Sequence, residues 1–236
     1  MKRSLMSHLF LYSRYCMLWE ISGETSMLIY GDIESGNCYK IKLLLSLLAI
    51  DHQWVHVDIL AGQTRSAEFL ERNPNGKIPL LQLDDGRLIA ESNAILNYLA
   101  DGSIYLPGDR FLRAKVLEWQ FFEQYSHEPY IAVARFIAKY LGLPEARRAE
   151  YQQKQAGGHR ALAVMERQLS RTAYLVGAQF SIADISLYAY THVAEEGGFD
   201  LAGYPALRCW LDRVAAQPGY VGMRADNESK ATPDAK

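Results

Sequence analysis

The sequence predicts a chain in two parts, an α/β front half built on a small mixed sheet and an all-α helical bundle behind it. Three observations predict this. Strand-type and helix-type periodicities alternate between Met27 and Ala100. Within that stretch Asp84-Asp85-Gly86 separates two short apolar runs, a hairpin signal. Beyond Arg110 helical patterns follow one another and no convincing strand pattern remains.

Taken in order, Leu28-Ile29-Tyr30 is a short apolar run of strand type. Lys40 to Ala49 is helical in length and almost wholly apolar through Ile41, Leu43, Leu44, Leu45, Leu47 and Leu48. A helix of that kind is buried on most sides. Gln53 to Ile59 alternates, which puts Val55, Val57 and Ile59 on one face of a second strand. Thr64 to Arg72 reads as a short helix closed by the breaker cluster Asn73-Pro74-Asn75-Gly76. Ile78 to Leu83 and Arg87 to Ala90 form the hairpin, and Glu91 to Ala100 is helical again. The order βαβαββα combines a parallel pair with an antiparallel one. That is the thioredoxin-like arrangement, and it occupies residues 27–101.

Residues 102–109, with Gly102, Pro107 and Gly108, read as a linker to a helical domain over 110–222. Phe111 to Tyr140 is one long helical pattern that Pro129 should kink. Pro144 to Leu169 is a second helix, weakened by roughly 1 kcal/mol at each of Gly157 and Gly158. In Phe180 to Ile185, Ser181 and Asp184 resemble a capping box, and Phe180 can staple onto Ile185. Tyr204 to Gln217 makes the last helix, and residues 223–236 read as a polar, disordered tail. Arg147-Arg148 and Gln152-Gln153 read as solvated helix surface.

The 236-residue chain is 49% hydrophobic and 22% charged, enough to bury a sizeable core. With a net charge of -2 and no basic run, it has no nucleic-acid footprint. No segment is apolar for long enough to span a bilayer. Three scattered cysteines, Cys16, Cys38 and Cys209, form no CxxC or Cys/His cluster. They argue against a disulfide framework or a metal site and fit a reducing cytoplasm. Lys2 and Arg3 precede an apolar stretch, as in a signal peptide, but His8 and Arg14 interrupt it and no clean cleavage site follows. Residues 1–26 are therefore expected to be a loosely attached tail, or the product of an upstream start codon, ahead of a body that begins at Met27.

Three short segments could carry chemistry. Ser35-Gly36-Asn37 lies between the first strand and the first helix, where free N–H groups and the positive end of the helix dipole face outward. The position of a catalytic cysteine pair holds Ser35 and Cys38 instead, so a dithiol cycle within the chain is excluded. A hydroxyl and an amide there suit an anion such as a ligand thiolate, or else Ser35 simply caps the helix. Asn75-Gly76-Lys77-Ile78-Pro79 opens the third strand, and a cis bond before Pro79 would turn the Ile78 backbone outward; an edge strand with a trans proline is the alternative. Glu91-Ser92-Asn93 starts a helix, either as ordinary caps or as a holder for an α-amino acid head. Together the three match the needs of a γ-glutamyl tripeptide with a central cysteine.

From Met27 to about Gly222 the chain resembles the soluble, cytosolic-type glutathione S-transferases. The runs Ser-Gly-Asn-Cys-Tyr-Lys, Val57 to Gln63, Asn-Gly-Lys-Ile-Pro and Glu-Ser-Asn are similar to the bacterial nu-class pattern, and theta-class enzymes share the serine. The resemblance implies that Ser35 and Asn37 contact the glutathione sulfur as the catalytic pair. It implies that Gln63 and Lys77 hold the glycyl end, that Ile78 pairs with the cysteinyl backbone before a cis Pro79, and that Glu91 and Ser92 take the γ-glutamyl head. The implied partners are glutathione and a small hydrophobic electrophile or a disulfide, in a detoxifying homodimer that needs no metal. Tyr125, His127 and Arg135 on the long helix are candidates for the co-substrate pocket, or else simple interhelical packing.

Overall fold

Strand β1 (Leu28–Gly31) pairs in parallel with β2 (Gln53–His56) and antiparallel with β3 (Leu80–Gln82), which pairs antiparallel with β4 (Leu88–Ala90). The strand order is β2-β1-β3-β4, with Leu28 opposite both Gln53 and Gln82 and with Leu80 opposite Ala90. This computed structural model describes residues 27–224, so the expectations for 1–26 and for 225–236 lie outside the described residues. The two-residue period of the strands divides their side chains cleanly. Ile29 and Leu81 enter the main core, while Tyr30 and Leu80 join Val57 and Phe69 on the opposite face.

Helix α1 (Gly36–Leu47) begins four residues before the apolar run because Ser35 caps it, its Oγ accepting the Cys38 N–H at 3.5 Å. As expected of so apolar a helix, it is buried almost throughout. It packs on α3 (Ser92–Ala100) and α7 (Ile182–Thr191), so one core runs through both halves of the chain. Helix α2 (Ala67–Arg72) is shorter than its sequence pattern, since residues 63–65 form a separate 3₁₀ turn and Ser66 caps the helix through the Phe69 N–H at 3.2 Å.

The pattern expected as one long helix is α4 (Arg110–Phe122), a π-helical turn over 123–127, α5 (Glu128–Arg135), and a second π-helical turn over 136–140. Pro129 cannot donate to the turn before it, and the ladder widens there instead of breaking. Helix α6 (Arg148–Leu169) keeps its two glycines for packing. A Cβ on Gly157 would lie 2.1 Å from the Tyr130 ring, and one on Gly158 would lie 2.2 Å from Phe199. Close approach outweighs the propensity loss.

Asp184 organises the start of α7. Its carboxylate accepts from the Ser181 N–H (3.0 Å), the Ser181 hydroxyl (3.1 Å), the Leu175 N–H (2.9 Å) and Trp210 Nε1 (2.9 Å). Burial lifts this carboxyl to about 6, so at neutral pH it is still the anion those donors require. Trp210 belongs to α8 (Pro205–Ala215), which is thereby tied to α7.

The packed body runs past the expected boundary at residue 222. Met223 is buried, and its carbonyl accepts Lys42 Nζ at 3.1 Å. Arg224 bonds Glu34 at 3.0 Å and also pairs with Glu196. Burial opposes ionisation of Glu196, yet Arg224, Arg135 and Lys139 hold its carboxyl down to about 2. None of the described helices is long and apolar enough to cross a membrane.

His192, just beyond α7, stacks on Tyr188 with ring centroids 4.7 Å apart and meets Tyr39 at 4.9 Å. Desolvation lowers it to about 4, against an ordinary value near 6.5. As pH falls, the unfolded chain therefore takes up the proton first. This contribution is complete above pH 6.5 and is lost as pH falls toward 4. The melting temperature of His192→Gln should depend less steeply on pH across that window than that of the parent. Equal slopes in parallel thermal scans would remove His192 from the explanation.

Candidate functional site

The loop after β1, the turn into β3 and the β4–α3 junction all end at one edge of the sheet, facing α5 and α6. Between them is a cavity of about 550 Å³ lined by Asn37, Lys77, Ile78, Pro79, Glu91 and Ser92. These are six of the eight positions expected to meet the tripeptide. The Ile78–Pro79 peptide is cis, and Ile78 precedes the paired residues of β3. Asn73 secures that turn, its Nδ2 donating to the Lys77 carbonyl at 2.8 Å.

Glu91 has φ +69°, a region that side chains other than glycine rarely adopt. The junction imposes this geometry while the carboxylate stays exposed at the cavity, 3.5 Å from Asn75 Nδ2. Such strain persists where the surroundings hold it, commonly at ligand-binding positions. Ser92 is buried beside it. It accepts from Lys40 Nζ at 3.2 Å and donates to Asn37 Oδ1 at 3.4 Å. The Asn37 amide nitrogen is thereby left to donate to a ligand.

Lys40 is fully buried and pairs at 2.8 Å with Glu123, also fully buried, from the helical half. Glu123 Oε2 further accepts from Asn93 Nδ2 (3.1 Å) and Gln124 Nε2 (2.7 Å). A continuous polar chain thus runs from Glu123 through Lys40 and Ser92 to Asn37.

The remaining expected residues fall elsewhere. Ser35 caps α1 and is half-buried, next to the cavity wall and not part of it. Gln63 turns back on its own loop, where its Oε1 accepts the Asp58 N–H at 2.7 Å. None of the three co-substrate candidates lines the cavity. Tyr125 is 86% exposed. His127 is fully buried against Thr191 Oγ1 at 2.9 Å, and desolvation lowers it to about 4. Arg135 is buried, bonded to Glu196 at 2.7 Å and to the Glu34 carbonyl at 2.8 Å.

The helical wall consists instead of Gln124, Glu128, Ala132, Val133 and Phe136, with Arg147, Glu150 and Lys154 beyond them. Tyr190 of α7 also reaches the cavity. Its ring lies so close to Gly36 that a Cβ there would be 2.6 Å from Cε1. Burial raises the phenol well above its ordinary value, so it faces the cavity as a neutral hydroxyl. No motif marks Tyr190 in the sequence, although Gly36 at a helix start hints at close packing. Cys38 is fully buried, and desolvation pushes its thiol up to about 12, which leaves almost no thiolate at neutral pH. Among the described residues no three His, Cys, Asp or Glu side chains gather as metal ligands would.

Residues 34–101 match the glutathione S-transferase N-terminal domain and residues 119–218 match the C-terminal domain. The crystal structure of a glutathione S-transferase from Pseudomonas fluorescens Pf-5 is 62% identical. It superposes with a TM-score of 0.83 over 84% of this chain and 99% of that one. A maleylacetoacetate isomerase from Rhizobium meliloti is 34% identical over 197 residues, 80% of this chain and 90% of its own length. The disulfide-bond oxidoreductase YfcG of Escherichia coli is 29% identical over 189 residues, 77% of this chain and 87% of its own.

Removing one partner of the Lys40–Glu123 pair strands a buried charge, which typically costs about 3–5 kcal/mol. Lys40→Met should therefore lower stability by that order in urea denaturation, and Lys40→Met with Glu123→Leu should recover much of it. If the single variant were as stable as the parent, the pair would not hold the halves together.

Proposed function

Because this chain belongs to the glutathione S-transferase family, we propose that its cavity holds glutathione with the sulfur at the start of α1. The chain is a glutathione transferase, and the proposal concerns which of its residues act. Asn37 donates its amide to the thiolate, and the hydroxyl of Ser35, the cap of α1, is the second donor. Glu91 takes the ammonium of the γ-glutamyl head, and the free N–H groups where α3 begins at Ser92 take its carboxylate. Ile78 pairs with the cysteinyl backbone beside Pro79, and Lys77 meets the glycyl carboxylate. The supporting observation is the convergence of Asn37, Lys77, Ile78, Glu91 and Ser92 on one cavity.

Free thiols have a pKa of about 8.5, and lowering it by about two units takes roughly 2.7 kcal/mol. The helix terminus supplies about 0.3–1 kcal/mol. A hydrogen bond to a charged group adds about 1.5–3 kcal/mol, so a side-chain donor is required. The thiolate then attacks an electrophilic carbon; the S–C bond forms and the leaving group departs with its electron pair. Nu-class disulfide reduction is the second reading, favoured by the Ser-Gly-Asn run and the likeness to the E. coli oxidoreductase. In that reaction glutathione supplies both electrons. Its thiolate displaces one half of the disulfide as a thiolate and forms a mixed disulfide with the other. A second glutathione thiolate attacks the glutathione sulfur of that mixed disulfide, forming oxidised glutathione and releasing the other half as a thiolate. Buried Cys38 takes no part in either reaction. Glutathione chemistry needs a reducing compartment, which supports a cytoplasmic placement.

We also propose a homodimer. Leu117, Phe121 and Tyr125 follow one another at four-residue spacing on α4 and the π-helical turn, 42%, 69% and 86% exposed. An exposed apolar stripe of this kind marks an interaction surface. Sedimentation should give a dimer for the parent and a monomer for Phe121→Glu. A monomeric parent would end the dimer proposal.

Glycine tolerates the φ of position 91, so Glu91→Gly removes the carboxylate while keeping the turn. Calorimetry should show at least tenfold weaker glutathione binding, about 1.4 kcal/mol. Asn37→Ala and Ser35→Ala should each raise the pH at which bound-thiolate absorbance appears. Unchanged affinity in the first variant and an unchanged absorbance profile in the others would overturn the assignment.

A further inference from the structure

The half of the cavity opposite Lys77 and Glu91 differs from a purely apolar pocket. Its floor is apolar, formed by Ile59, by Ala132 and Val133 of α5, and by Phe136 at the start of the π-helical turn that follows. Its far wall, however, is a charged stripe of Arg147, Glu150 and Lys154, spaced three and four residues apart so that they share one side of α6 and the turn leading into it. The charges on this stripe do not cancel. Arg147 gives both Nε and Nη2 to Glu150 Oε2, at 2.8 and 2.7 Å. Lys154 has no ion-pair partner among the described residues, and its ammonium lies 5.8 Å from the centre of the Tyr130 ring. That ring is itself pressed onto Gly157 one turn further along α6. Lys154 is therefore a cation held at the cavity wall by packing, with its charge unspent.

We propose that the co-substrate half of this cavity selects amphipathic anions, seating an aromatic or unsaturated body on Ile59, Val133 and Phe136 and a carboxylate on Lys154. This refines the glutathione-transferase site proposed above and rests on it. A single uncompensated cation matches a single negative charge. A dianion such as a phosphate ester would meet greater repulsion from the carboxylates of Glu150 on α6 and Glu128 on α5, which also line the cavity. The substrate class is thus an electrophile carrying a carboxylate away from its reactive carbon. Lys77, at the other end, is left to the glycyl carboxylate of glutathione.

The test compares S-benzylglutathione with S-(3-carboxybenzyl)- and S-(4-carboxybenzyl)glutathione by calorimetry on the full chain, with glutathione itself as the reference. At least one carboxylate isomer should bind about tenfold tighter than S-benzylglutathione. The advantage should shrink with added salt, vanish in Lys154→Met and persist in Lys154→Arg. Equal binding of the three conjugates, or an advantage that survives Lys154→Met, overturns the anion preference and leaves the glutathione site standing. If neither glutathione nor S-benzylglutathione binds, the glutathione site falls and this proposal falls with it.

Discussion

The ion pair between Lys40 and Glu123 is the constraint on which the arrangement of the two halves depends. Both side chains are fully buried, one in the first helix of the sheet domain and the other in the π-helical turn after α4. Withdrawing two charges from water is costly, and their attraction offsets that cost only when other groups satisfy the remaining valences. Ser92, Asn93 and Gln124 supply part of that support, all of it on Lys40 Nζ and Glu123 Oε2, while Glu123 Oε1 has no hydrogen-bond partner among the described residues. An apolar pair of similar volume would tolerate small slides between the domains. A buried ion pair with this many directed partners fixes their register, and with it the distance between Ser92 and the helical wall.

The same network reaches the proposed chemistry. Lys40 donates to Ser92 and Ser92 donates to Asn37, so the residue nearest the expected sulfur is oriented by a charge at the domain interface. Tyr190 reinforces this from the other side, because its ring fills the space that a side chain at position 36 would take. Asp184 in turn anchors the helix that carries Tyr190, gathering Ser181, Leu175 and Trp210 at its start. The helical half is thus a structural part of the proposed sulfur site and not merely a lid over it.

The sheet domain was legible because each of its signals is local. The alternation that marks β2, the Asp84-Asp85-Gly86 turn and the Ile78–Pro79 junction each depend on neighbours a few residues away, although β2 stops at His56, three residues short of the end its alternation predicts at Ile59. The same holds for the box of Ser181 and Asp184. Sequence reading fails where the determinant is non-local. Nothing near Lys40 in the sequence announces that Glu123 will meet it. Gly157-Gly158 looked like a weakness in α6 and is instead where Tyr130 and Phe199 fit.

The co-substrate wall shows the same limit from the opposite direction. Tyr125, His127 and Arg135 carry the polar and aromatic tips expected of a binding pocket, yet Tyr125 is exposed, His127 is buried against Thr191 and Arg135 is bonded to Glu196 and Glu34. A π-helical turn takes up extra residue without changing the hydrophobic pattern much, so every position after it is rotated relative to a regular helix. Val133 and Phe136 face the cavity in their place. On α6 the stripe of Arg147, Glu150 and Lys154 has the composition of a solvated face, and only the opposing floor of α5 turns it into a wall. Charge placed on a helix by sequence becomes specificity only when another helix supplies the apolar surface beside it. In this chain that pairing is set by the contact of Tyr130 with Gly157, well away from any catalytic motif.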